Sequence, residues 1–122
     1  REQFALVRRL LREATTARQR GRLDDARDAY HQVLAVEATN GRATAGLAYV
    51  HLERDELPQA LLWAQRLVRT RPEYASHWVL LGDVLRRGGN DDAARRAYAR
   101  GLSVQPSWTT ARRRLDELGG PP

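Results

Sequence analysis

The side chains able to do chemistry here are three histidines, 15 carboxylates and 21 arginines, because the chain has no cysteine. That absence removes thiolate nucleophiles, thiolate metal sites and disulfides together. An active site needs polar groups that converge with tuned pKa values, and the histidine spacing does not supply them. His51 falls in register with Ala17 and Leu85 and is expected to pack between helices. His31 shares a register with Gln65 and Ala99, a row expected to face solvent. His77 precedes Asp83 by six residues, which puts the two on different sides of a helix. No His-x3-His or Glu-x-x-His pair occurs, so neither a metal site nor a cofactor is expected. No glycine-rich phosphate loop follows a strand, since no convincing strand is present. A non-enzymatic chain is the expectation.

Arginine carries the remaining chemistry, the recognition of anions. All 21 basic residues are Arg and none is Lys, giving a net charge of +6. This balance favours acidic partners or nucleic acid, although wholesale use of Arg also reads as the coding bias of a GC-rich bacterial genome. Arg86-Arg87, Arg95-Arg96 and Arg112-Arg113-Arg114 are patches that RNA or DNA could use. The 15 acidic residues interspersed among them weigh against it, as does the small number of aromatics available for base stacking. With 42% hydrophobic and 30% charged residues the chain is too apolar for disorder. No run approaches the ~18 apolar residues of a membrane span, and no signal peptide is visible. The chain opens on Arg1 and lacks Met, which reads as a segment of a longer protein. Its compartment stays open, the cytoplasm ranking ahead of a periplasm that would require a signal peptide outside the segment.

The elements that would position these groups repeat. A shift of 34 residues brings Ala26, Ala60 and Ala94 into register, and likewise Ala14, Ala48 and Gly82. Val33, Leu67 and Gly101 follow, then Leu34, Val68 and Leu102, then Ala38, Pro72 and Pro106. Each copy reads as two helices joined at Arg20-Gly21-Arg22, Asp55-Glu56 or Gly88-Gly89-Asn90. Asp24 and Asp25, and again Asp91 and Asp92, fall in the first turn of the next helix, where Pro58 takes the matching place in copy two. The second helices are expected to end near Asn40-Gly41, Pro72 and Pro106. Copies one and three carry Ala29-Tyr30 and Ala97-Tyr98 where copy two has Trp63-Ala64, a volume-conserving exchange.

Trp78-x2-Leu81-Gly82 with Ala94, Tyr98, Gly101 and Pro106 resembles the tetratricopeptide repeat signature. The first copy departs most, with Glu13 at the large apolar position and Ala38 in place of Pro; the second has Thr44, Ala48 and Ala64 where Trp, Gly and an aromatic are usual. The resemblance covers residues 7–106 and implies an all-α, right-handed superhelical solenoid of antiparallel helix pairs. The expected organisation is one domain over residues 1–122, with repeats at about 7–40, 41–74 and 75–108. A polar capping helix is expected at about 107–118, its Leu115 in register with Leu47 and Leu81 and its Arg112 standing where copy three has Trp78. Residues 119–122 read as a linker or segment end, and residues 1–6 as an extension of the first helix or the remnant of an earlier repeat.

The family also implies a function: the first helix of each pair lines a concave groove that holds a peptide or partner helix. Copy one then offers Arg8, Leu11, Arg12, Thr15 and Arg18. Copy two offers Arg42, Ala45, Tyr49, Leu52 and Glu53, and copy three Ser76, Val79, Leu80, Asp83, Arg86 and Arg87. The last helix adds Arg113, Arg114 and Glu117. Ala45 and Gly46 leave room at the centre beside Tyr49, Leu52, Val79 and Leu80, ringed by Arg8, Arg12, Arg42 and Arg113. Such a surface fits an amphipathic, acidic protein or peptide. The plainer reading keeps Tyr49 and Leu52 inside the stack. Chaperone-binding members clamp a terminal carboxylate with Lys, Asn and Arg, but the matching positions are Leu11, Thr15, Gly46, Ser76 and Leu80, so that clamp is absent. Nucleic-acid binding and self-association through residues 1–6 or Trp108 remain as alternatives.

Overall fold

The computed structural model describes residues 2–122 and consists of seven α-helices: α1 (Glu2–Gln19), α2 (Leu23–Val36), α3 (Gly41–Glu53), α4 (Leu57–Thr70), α5 (Ala75–Arg87), α6 (Asp91–Val104) and α7 (Thr109–Glu117). No strand occurs among the described residues, and no helix there is long and apolar enough to cross a membrane.

The turn within each pair is one motif made three times. Gly21, Asp55 and Gly89, spaced 34 residues apart, all take positive φ, of 75°, 59° and 83°. The N–H groups of Arg22, Glu56 and Asn90 then donate to the carbonyls of Ala17, His51 and Leu85 at 2.8, 2.8 and 2.9 Å. This closure satisfies the last carbonyls of the first helix and sends the chain back antiparallel. Asp24, Asp25, Asp91 and Asp92 do fall in first turns, and Pro58 sits at the start of α4. The second helices stop at Val36, Thr70 and Val104, each ended by an extended or bent residue rather than by a glycine. The end expected near Asn40-Gly41 therefore comes earlier. Asn40 instead caps α3, its Oδ1 accepting the Ala43 N–H at 2.9 Å. Residues 2–6 extend α1 by more than a turn.

Small residues set the spacing of the helices. Ala14, Ala26, Ala48, Ala60 and Ala94 are wholly buried, so neighbouring backbones approach closely. The core does not divide at repeat boundaries. One cluster joins Leu10 and Leu11 of α1 and Tyr30 of α2 to Leu47 and Val50 of α3, and a second runs from Ala48 through Leu67 to Leu80 and Ala97. The third closes on Ala111 and Leu115 of α7. Each pair is thus sealed by the first helix of the next pair, and α7 performs that service for the last.

Candidate partner-binding groove

The odd-numbered helices touch one another in sequence, α1 with α3, α3 with α5 and α5 with α7, whereas α2, α4 and α6 do not meet. In a curved stack the contacting row lies at the smaller radius, so the odd helices line the inner face. Side chains 34 residues apart stand side by side along it: Arg8, Arg42 and Ser76 in one row, Thr15, Tyr49, Asp83 and Glu117 in another.

Three of the expected groove residues are not available on that face. Leu11, Val79 and Leu80 keep only 5%, 5% and 2% of their surface and are part of the core. The room expected at Gly46 is also filled, because a Cβ there would lie 2.2 Å from the Tyr30 ring. Tyr30 needs that space, and Leu80 takes the equivalent sequence position one repeat later, in the same core cluster as the small Ala64. The apolar surface left at the centre is narrower: Tyr49, exposed over about a third of its surface, with half-buried Leu52 and Ala45. Thr15, Asp83 and Arg86 are also half-buried, and Arg8, Arg12, Arg42, Ser76 and Arg113 are exposed.

Charge divides along the groove. The Arg18 guanidinium lies 4.9 Å from the centre of the Tyr49 ring and pairs with Glu53 at 3.0 Å, tying α1 to α3. Burial, ahead of nearby charges, pushes the Tyr49 hydroxyl pKa up. Towards the C-terminal end, Leu52, Asp83, Arg86, Arg87, Arg114 and Glu117 surround a depression of about 570 Å³. Its charges are mutually satisfied: Arg114 Nε meets Asp83 at 2.9 Å, Arg86 meets Glu117 at 3.0 Å, and Arg87 reaches Asp55 at 3.5 Å. Asp83 Oδ1 also accepts the Tyr98 hydroxyl at 2.6 Å. Arg8, Arg12, Arg42 and Arg113, by contrast, have no carboxylate within 4.0 Å among the described residues. Arg8 instead lies 5.6 Å from the ring centre of Phe4, which is 62% exposed.

The histidines are engaged structurally. His51 Nδ1 contacts Glu56 Oε1 at 3.0 Å, and His77 Nδ1–H donates to the Arg71 carbonyl at 3.0 Å. His31 stands edge-on to Trp63 at 5.7 Å, and burial lowers its pKa. No group of three or more His, Asp or Glu suited to a metal occurs among the described residues. Sequence reasoning missed that Arg71, Tyr74 and His77 share a cavity with Arg42. Arg71 and Tyr74 lie in a connection that shows no helical spacing, and His77 was paired only with Asp83.

Seven helices in antiparallel pairs, with one turn motif at a 34-residue period, define a superhelical repeat solenoid. A tetratricopeptide repeat model matches twice, over residues 11–75 and 64–108, and the chain belongs to the tetratricopeptide repeat family, whose fold serves protein–protein interaction. A mutant O-GlcNAc transferase from Thermobaculum terrenum is 25% identical with a TM-score of 0.84, over 91% of this chain and 21% of that one. MamA is 25% identical with a TM-score of 0.83, over 92% of this chain and 66% of that one. This chain therefore spans less than two thirds of either relative. The first repeat domain of Spaghetti (RPAP3), solved bound to an HSP90 peptide, shares the fold at 17% identity and a TM-score of 0.85, with 93% and 90% of the two chains covered. No curated protein matches the sequence.

Proposed function

We propose that residues 1–122 act as one non-catalytic domain that binds an amphipathic, acidic peptide or helix of a partner protein in the concave groove, within a larger bacterial assembly. The observation that carries this reading is the inner face itself: Tyr49 and Leu52 form an accessible apolar centre, and four arginines with no carboxylate within 4.0 Å among the described residues stand on its rim. An apolar stripe on the partner would cover Tyr49, and its carboxylates would meet Arg8, Arg12, Arg42 and Arg113. A relative of the same fold was solved with a peptide bound, which supports the mode of binding but not the partner. The clamp positions Leu11 and Leu80 are core residues here, so a chaperone tail is not the ligand favoured. Nucleic acid fits less well, because Arg86, Arg87, Arg95 and Arg114 are each paired with a carboxylate and present less free positive charge to phosphates.

Affinity capture of the natural partner tests the reading. Tyr49→Ala and Leu52→Arg are expected to weaken capture by about tenfold or more, with unchanged helical circular dichroism. Undiminished recovery of the same partner by both variants would remove the groove assignment.

A further inference from the structure

Beside the groove, where the first turn of α3 faces the connection between α4 and α5, Asn40, Gly41, Arg42, Arg71, Tyr74 and His77 enclose about 380 Å³. Three nitrogenous side chains converge here without an acid. Neither arginine nor His77 has a carboxylate within 4.0 Å among the described residues. Glu37, the acid tied to this corner, is engaged by Asn40 Nδ2 at 3.0 Å.

The groups are also held in place. Arg71 Nε donates to the Thr39 carbonyl at 3.2 Å, and the two terminal guanidinium nitrogens have no protein partner among the described residues. Its stem lies against Gly41, where a Cβ would come within 2.8 Å of Arg71 Cδ. His77 donates through Nδ1 to the Arg71 carbonyl, so Nε2 is the nitrogen left free, and the Tyr74 ring rests against the imidazole at 5.0 Å between centres. A guanidinium fixed through Nε and free at its ends is preorganised for the paired oxygens of an oxyanion. The repeat architecture does not require this arrangement. One repeat further on, the places of Arg42, Arg71, Tyr74 and His77 are taken by Ser76, Gln105, Trp108 and Ala111, with no cation among them.

We infer that this cavity is an oxyanion subsite that receives a carboxylate of the partner lying in the groove. The inference rests on the groove reading, because Arg42 belongs to both surfaces. The acid is held chiefly by the Arg42 and Arg71 guanidinium groups, at the rim rather than on the groove floor.

Nitrogen-15 NMR titration of the whole chain tests this, with N-acetyl-triglutamate as probe, inorganic phosphate as a second arm and sodium chloride as the ionic-strength control. The peptide is expected to shift the Gly41 amide and the Arg71 Nε–H saturably. Arg42→Gln and Arg71→Gln should each weaken that binding by roughly tenfold. Gly41→Ala should weaken it as well, since the methyl displaces the Arg71 stem while every charge is kept; Arg96→Gln, on α6 and outside both the groove and this cavity, should not. Equal saturation in Arg71→Gln and Gly41→Ala, or shifts reproduced by chloride alone, would overturn the inference. Saturation by phosphate but not by the glutamate peptide would also overturn it, assigning the cavity to a phosphate ligand instead. The two readings fail separately. Partner capture insensitive to Tyr49 and Leu52 removes the groove reading, while the glutamate titration of the unaltered chain still measures the subsite directly.

Discussion

At Gly46 the packing has no room for a methyl group, since the Tyr30 ring lies where a Cβ would be. Gly46→Ala adds helix propensity worth about 1 kcal/mol, but the overlap is with a buried ring rather than a mobile chain end. Overpacking of this kind costs about 1–3 kcal/mol, so a net loss of stability in urea is expected. The double variant Gly46→Ala, Tyr30→Leu should lose less than the two single changes add up to, because the two sites share one space. Additive losses would show that the ring and the glycine do not compete. Sequence alone showed the exchange between Ala29-Tyr30 and Trp63-Ala64 within the second helices. Its partner positions were hidden: Tyr30 faces Gly46, and the residues 34 positions on, Ala64 and Leu80, are both buried in the second core cluster. These pairs cross from one repeat to the next, where a periodic reading of each copy does not look. Leu80 therefore read as groove surface and proved to be core.

Among the elements, the three turns within pairs show where a shared geometry meets an unsuited residue. Gly21 and Gly89 adopt positive φ freely, but Asp55 holds φ of 59° with a side chain. Asp55→Gly removes that strain, worth about 1 kcal/mol for a residue type that tolerates the region, and forfeits an exposed contact to Arg87 at 3.5 Å worth well under about 1 kcal/mol. A small net gain in thermal stability is expected, of about 0.5 kcal/mol; a loss would mean that the Arg87 contact outweighs the strain. The turn itself was legible, because Gly-rich or acidic punctuation recurs at one phase. The ends of the second helices were less so. Pro72 and Pro106 flag a stop only approximately, and Asn40 marks the start of α3 rather than the end of α2.

For the molecule as a whole, the C-terminal closure depends on one polar layer. Tyr98 of α6, Asp83 of α5 and Arg114 of α7 are joined at 2.6 and 2.9 Å, so three helices meet at a single carboxylate. Burial, and then the hydrogen bond to Asp83, raises the Tyr98 pKa well above its ordinary value of 10.0. The folded state therefore favours the protonated phenol. That stabilisation is fully present below the ordinary tyrosine pKa and is lost as pH rises from there towards the folded value. Unfolding free energy should fall between pH 10 and 12 by up to about 1.4 kcal/mol per pH unit for this one proton. Tyr98→Phe is expected to cost about 1 kcal/mol at pH 7 and to flatten the alkaline decline, with a residual slope from Tyr49, whose pKa is also raised. Urea titrations at pH 8 and pH 11 check both effects; equal slopes in the variant and the parent chain would place the alkaline sensitivity elsewhere.

By itself the sequence determined the helix pairs and their 34-residue period. Each of these is written in small residues, turn residues and apolar spacing that recur along the chain, and local periodicity is enough to read them. Only the tertiary structure decided which side chains the groove keeps. Leu11, Val79 and Leu80 share the helical face of the surface residues around them, and burial by the neighbouring repeat is what removes them from it. The same holds for charge: which arginines are free depends on whether a carboxylate from another helix reaches them, as Glu53 reaches Arg18 and Asp83 reaches Arg114. The basic cavity at Arg42 exists for that reason too, assembled by helix stacking from segments some 30 residues apart in the chain.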